Sequence, residues 1–132
     1  MKILLDTHTF LWFLAGASEL SKAARVHIEN PDNEKYISIA SFWEISIKNS
    51  LGKLTLDVPF IELKTEAIKN NFQILPISFE DTLQLNFLPF HHRDPFDRII
   101  ISQAKENNLT LLSCDSNFRL YDINLLWESP NL

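Results

Sequence analysis

Four acidic residues stand where apolar, strand-like runs meet helix-like runs. Asp6 follows Lys2-Ile3-Leu4-Leu5, and Glu44 comes shortly after Tyr36-Ile37-Ser38-Ile39. Asp97 opens Phe96-Asp97-Arg98-Ile99-Ile100, and Asp115 follows Leu109-Thr110-Leu111-Leu112. In an open parallel sheet, ligands bind in the crevice outside the carboxyl ends of the strands. Four carboxylates delivered to one crevice repel one another and are tolerated mainly around a hard cation. Oxygen donors alone favour Mg²⁺ or Mn²⁺. The chemistry such a site supports is attack of an activated water on a phosphodiester.

Each acid also has a purely structural use. Asp6 can accept amide hydrogen bonds at a helix start, and Ser41-Phe42-Trp43-Glu44 matches a capping box. Asp94-Pro95-Phe96-Asp97 reads as an N-cap, a proline at the first helical position and an acid in the first turn. Asp115-Ser116-Asn117 reads as an Asx turn or a cap. Capping alone does not demand an acid, since Ser, Thr and Asn serve as well. The two uses are compatible, because a carboxylate held in a first helical turn is rigid, as a metal ligand should be. With Asp94 occupied as the cap, Asp97 is the freer of the pair, so Asp97 is the expected ligand and Asp94 a supporting residue.

Other side chains near these acids carry weaker signals. Lys48, four residues after Glu44, suits either a helical ion pair or a phosphate contact. His91-His92-Arg93 precedes Asp94, but no His/Cys set with zinc spacing follows. Arg93 or Arg98 suits phosphate steering, and His8 is expected to face a helix or solvent. Ser113 and Asn117 flank Asp115 and are expected to hydrogen-bond its carboxylate or a water. Cys114 follows an apolar strand and reads as a buried, inert thiol. With only Gly16 and Gly52 in the chain, no phosphate-cradling loop or dinucleotide fingerprint can be built. A Gly-x-Ser-x-Gly elbow is also absent.

The elements that must position these acids alternate. Strands are expected at Lys2 to Leu5, Tyr36 to Ile39, Phe72 to Leu75, Leu109 to Leu112 and Ile123 to Trp127. Helices are expected from Thr7 to Ala15, from a Ser18 or Ser21 cap to about Asn30, and from Ser41 to Leu51. Further helices are expected near Pro59 to Asn70, from Ser78 to before Pro89, and from Phe96 to Asn107, with a short turn at Ser116 to Tyr121. Strand and helix in alternation imply βαβ units and a parallel sheet covered on both faces, an α/β class.

At 132 residues the chain fits one domain, and its 45% hydrophobic content is enough for a core without staples. The single cysteine rules out an intrachain disulfide, and the N-terminus lacks a signal-peptide pattern, so a cytoplasmic setting is expected. Phe10 to Ala15 is too short an apolar run to span a bilayer. The net charge of −5 weakens a nucleic-acid reading, but two bound divalent ions would bring −5 to −1 (−5 + 4).

The chain resembles the PIN-domain family, and within it the VapC-type ribonuclease toxins of bacterial toxin–antitoxin pairs. The segments that carry the resemblance are Leu4-Leu5-Asp6-Thr7-His8 with Phe10-Leu11-Trp12, and Ser41 to Lys48 continuing through Leu51-Gly52-Lys53-Leu54. Arg93-Asp94-Pro95-Phe96-Asp97-Arg98 with Ile101 to Ala104 follows, then Leu111-Leu112-Ser113-Cys114-Asp115 with Phe118. Ser113 stands where Thr is common. The resemblance spans essentially the whole chain, 1–132, as one nuclease domain. It implies a three-layer α/β/α fold with a central parallel sheet. It implies Asp6, Glu44, Asp97 and Asp115 as both the catalytic and the metal-binding set, for Mg²⁺ or Mn²⁺. It further implies an RNA substrate, a homodimer and a small antitoxin partner. Activated water does not need the RNA 2′-hydroxyl, so 5′-phosphate and 3′-hydroxyl ends are expected. Alternatives are a PIN-like RNA-processing nuclease outside toxin systems or a non-catalytic PIN-like module. A HAD-like phosphatase seeks a second Asp where His8 stands, and a receiver-type domain leaves Glu44 and the Asp94/Asp97 pair unexplained.

Overall fold

The computed structural model describes residues 1–127, so the last five positions of the expected domain lie outside the described residues. Five parallel strands form the sheet: β1 (Lys2–Leu5), β2 (Glu34–Ser38), β3 (Phe72–Leu75), β4 (Thr110–Leu112) and β5 (Leu125–Leu126). Their order is β3-β2-β1-β4-β5. The chain builds outward from β1 to β3, then crosses back to place β4 on the other side of β1. The connections after β1 and β4 therefore leave in opposite directions. This is a topological switch point, where α/β folds form their ligand crevice.

The helices are α1 (Thr7–Ala15), α2 (Lys22–Glu29), α3 (Ile39–Ser50), α4 (Leu63–Lys69), α5 (Phe79–Phe87) and α6 (Pro95–Glu106). Short 3₁₀ turns span Phe60–Glu62 and Ser116–Leu120. Alternation along the strands sends side chains to two cores. Ile3 and Leu5 of β1 and Leu112 of β4 pack with Phe10, Ala24, Ile28, Phe42, Leu63 and Ala67. Their strand neighbours Leu4 and Leu111 pack with Ile99, Ile100, Ala104, Phe118 and Tyr121 on the opposite face. This is the expected three-layer α/β/α sandwich.

β2 starts earlier than the sequence reading, at Glu34, β5 is shorter, α4 begins only at Leu63, and the boundary between β2 and α3 is shifted. β2 ends at Ser38, and Ile39, expected in the strand, opens α3. The cap is Ser38, whose Oγ accepts from the Ala40 N–H at 3.0 Å. The Ser41/Glu44 capping box is not formed, because both residues lie inside the helix. The segment Ser38-Ile39-Ala40-Ser41 offers two serine caps, and β-branched Ile39 favours the strand reading locally. Packing chose the earlier serine, since Ser38 also donates to the Gln103 Oε1 of α6. Elsewhere Ser21 caps α2, and Ser78 with Asp81 forms a complete capping box on α5.

Candidate active site

Asp6 follows β1 directly and caps α1, its Oδ1 accepting from the Thr9 N–H at 2.9 Å. Its Oδ2 accepts from Ser113 Oγ at 2.6 Å, across the switch point. Ser113 Oγ also accepts from the Asp115 N–H at 3.1 Å. One hydroxyl thus locks the end of β1 to the loop that carries Asp115. This corrects the expectation that Ser113 bonds the Asp115 carboxylate. That carboxylate accepts from the Asn117 N–H at 2.9 Å, which is the cap geometry expected there.

Glu44 comes from the second turn of α3, where the chain has turned directly off the end of β2. It is 3% exposed, and its Oε2 accepts from Lys48 Nζ at 2.6 Å. Its Oε1 is buried with no hydrogen-bond partner. A buried carboxylate oxygen without a donor is costly and calls for an explanation. Below it, Thr7 Oγ1 donates to Ser41 Oγ at 2.9 Å, tying α1 to α3.

Asp97 reaches the same crevice from the other direction. Because α6 precedes a parallel strand, it runs antiparallel to the sheet and presents its N-terminus at the carboxyl edge. Asp94 is the cap of α6, its Oδ1 accepting from the N–H groups of Phe96 and Asp97 at 2.9 and 3.0 Å. Pro95 sits in the first turn, where its missing N–H costs nothing. Burial, then the charges of Asp94, Glu44, Asp6 and Asp115, push the Asp97 carboxyl up to about 8. Burial also raises Asp6, and the hydrogen bonds from Ser113 and Thr9 oppose that rise. Lys48 is raised by its hydrogen bond to Glu44 and by the charges of Glu44, Asp94 and Asp97.

The structure therefore brings Asp6, Glu44, Asp94, Asp97 and Asp115 to one crevice. Among the described residues, no three His, Cys, Asp or Glu side chains stand close enough together to hold a metal ion as they are placed. The donor set nonetheless fits a hard cation. It is made of carboxylates, holds one orphaned buried oxygen and carries an acid, Asp97, whose proton burial and neighbouring charges retain.

The remaining expectations divide. Arg98 is not a phosphate contact: it is 6% exposed, and its guanidinium donates to the carbonyls of Leu88 and Pro89 and to the Tyr121 hydroxyl. Arg93 is exposed. His8 is exposed and lies against Trp12, as expected. Cys114 is exposed rather than buried. Partial desolvation and the charges of Asp6 and Asp115 still raise its thiol, so it is a poor nucleophile for a different reason than expected. His92, which the spacing did not single out, lies 3.4 Å from Asp97 through Nε2.

The PIN-domain family model matches residues 3–124. The chain belongs to the PIN-domain family. No curated protein matches it in sequence. Solved structures share the PIN fold over nearly the whole chain. VapBC2 from Rickettsia felis, bound to a promoter DNA fragment, has a TM-score of 0.69 at 15% identity, covering 96% of this chain and 98% of that one. VapBC-1 from nontypeable Haemophilus influenzae has a TM-score of 0.67 at 16% identity, with coverage of 96% and 97%. A toxin–antitoxin complex from Klebsiella pneumoniae has a TM-score of 0.65 at 18% identity, with coverage of 96% and 99%. PIN domains are nucleases, which supports hydrolase activity for this one. No helix among its described residues is long and apolar enough to cross a membrane.

Proposed function

We propose that this PIN domain is a divalent-metal-dependent endoribonuclease and the toxin of a bacterial toxin–antitoxin pair. The observation that carries the reading is the buried, unpartnered Oε1 of Glu44 in a crevice with Asp6, Asp97 and Asp115. Asp6, Glu44, Asp97 and Asp115 would hold Mg²⁺ or Mn²⁺, with Asp94 holding the first turn of α6 beneath Asp97. The bound ion supplies a water made acidic enough to attack phosphorus at neutral pH, and it offsets charge on the phosphate. Ser113 and Thr9 fix the Asp6 carboxylate, so it meets a ligand without reorganising. Lys48, 41% exposed and paired with Glu44, is placed to meet a phosphate oxygen at the rim. Products with 5′-phosphate and 3′-hydroxyl ends follow from attack by water.

The partners belong to two apolar surfaces. Ile39, Trp43, Ile47 and Leu51 line the exposed side of α3, and Phe79, Leu83 and Phe87 that of α5. Both helices pack on α6. These exposed stripes suit pairing of two copies of the chain, in which one patch meets itself. A separate groove of about 270 Å³ lies between α1, the segment 54–58 and the start of α4, lined by Leu11, Trp12, Leu14, Leu56, Val58 and Leu63. It suits an apolar segment of an antitoxin laid into it. Trp12 faces this groove, whereas Phe10, two residues earlier on the same helix, is fully buried.

The test is cleavage of RNA by the purified chain with Mn²⁺ and with EDTA. Cleavage lost in EDTA and in Glu44→Gln is the expected result. Cleavage that survives both removes the metal-nuclease reading.

A further inference from the structure

His92 lies in the loop before α6, two residues ahead of the Asp94 cap. Its side chain is only 11% exposed. Nδ1 stands 2.8 Å from the Tyr121 hydroxyl. The same hydroxyl oxygen accepts from the His92 backbone N–H and from Arg98 Nη1, each at 3.2 Å. A backbone N–H and a guanidinium can only donate. They take both lone pairs of the hydroxyl oxygen, so its hydrogen is left for Nδ1. Nδ1 is then the acceptor, and a neutral ring carries its proton on Nε2. Nε2 is buried with no hydrogen-bond partner and lies 3.4 Å from Asp97 Oδ2.

We propose that Tyr121 holds His92 as the Nε2–H tautomer, so that His92 aims a hydrogen-bond donor at Asp97 and positions that carboxylate for a divalent cation. The inference rests on the metal-site reading above and extends it outward by one shell. His92 is a positioning residue: it touches a ligand, not the substrate. At 3.4 Å the two atoms are within reach but not aligned as a hydrogen bond, and the carboxylate must turn toward Nε2–H when a cation binds. A donor on one oxygen leaves the other directed into the crevice. Outer partners of this kind typically govern metal affinity by ~10–100-fold.

Two substitutions separate the two ends of the ring. His92→Gln extends an amide nitrogen to about the place of Nε2, whereas His92→Asn reaches only as far as Nδ1. Both lose the ring packing against Phe118 and Tyr121, so both should lower the melting temperature without metal by similar amounts. Calorimetric titration of the full chain with Mn²⁺ at fixed pH is the main readout. Expected is a loss of ~10-fold or more in affinity for His92→Asn, and affinity within ~3-fold of wild type for His92→Gln. Equal affinities in the two variants would overturn the proposal. Two-bond ¹H–¹⁵N correlation on the wild-type imidazole reads the tautomer directly, and an Nδ1–H pattern would overturn it as well. If wild type takes up no Mn²⁺, the metal-site reading fails and this inference with it. If wild type binds and His92→Asn binds equally well, only the role of His92 falls.

Discussion

Asp81 and Glu44 are both carboxylates buried in helices, at 1% and 3% exposure, yet their surroundings are opposite. Asp81 is surrounded by donors. It accepts from the Ser78 N–H at 2.9 Å, from Gln103 Nε2 at 3.3 Å and from Asn107 Nδ2 at 3.2 Å. Those donors belong to α5 and α6, and the acid serves to lock the two helices together. Glu44 has one cation on one oxygen and nothing on the other, in a crevice that it shares with Asp6, Asp97 and Asp115. Burial therefore does not distinguish an acid that braces two helices from one proposed to hold a cation. The supply of donors does: the fold satisfies Asp81 completely, while the crevice keeps a deficit that a cation can fill.

The comparison breaks most sharply in activity. Glu44→Gln and Asp97→Asn should each reduce RNA cleavage by more than ~100-fold, beyond what loss of an outer partner produces. Asp81→Asn should leave the cleavage rate per folded molecule close to wild type. Single-turnover rates on protein of verified folded fraction decide this, and a comparable loss in Asp81→Asn would erase the distinction.

Stability should run the other way. Asp81→Ala strands the donors of Ser78, Gln103 and Asn107 in the interior and should cost ~2–4 kcal/mol. At neutral pH burial and the neighbouring acids make the folded chain keep a proton on Asp97 that the unfolded chain releases, so Asp97→Asn, which needs no such proton, should raise the melting temperature of the metal-free protein by ~3–8 °C. Denaturation in EDTA measures both, and two changes of the same sign would contradict the comparison.

The pH dependence sharpens it further. The Asp97 carboxyl is pushed from an ordinary value of 3.8 up to about 8 in the fold. Below pH 3.8 both folded and unfolded chains hold the proton, and the contribution of Asp97 to stability is complete. As pH rises toward 8 the unfolded chain releases the proton first, so this contribution is progressively lost. The metal-free protein should therefore lose stability across that window, and Asp97→Asn should flatten the loss. Adding Mn²⁺ should restore stability at the upper end, because the ion binds only the folded chain.

The smallest effect belongs to Asp94. Asn caps a helix about as well as Asp, so Asp94→Asn should change stability by no more than ~0.5 kcal/mol and cleavage by a few-fold at most. A collapse of activity in this variant, with Asp97→Asn still active, would exchange their roles.

Much of this was legible in the chain itself. Apolar runs of strand length, each followed by a cap residue and a helical period, determined five strands, six helices and their α/β class. Asp6, Asp94, Asp97 and Asp115 could be placed at element ends because caps are local, depending on neighbours two or three residues away. The start of α3 was misjudged because two serines competed for one cap, and the choice was made by Gln103, 65 residues away from Ser38. Arg98 looked like a phosphate contact and proved to be a brace, since its partners Leu88, Pro89 and Tyr121 meet it only in the folded chain. Ser113 showed its hydroxyl in sequence but not its partner, because Asp6 lies across the switch point between two strands. The orphaned oxygen of Glu44 and the donor state of His92 have no sequence signal at all. Residue types say which groups can donate or accept. Only the packing of α3, α6 and the Tyr121 turn decides which of them find a partner, and which are left for something else to bind.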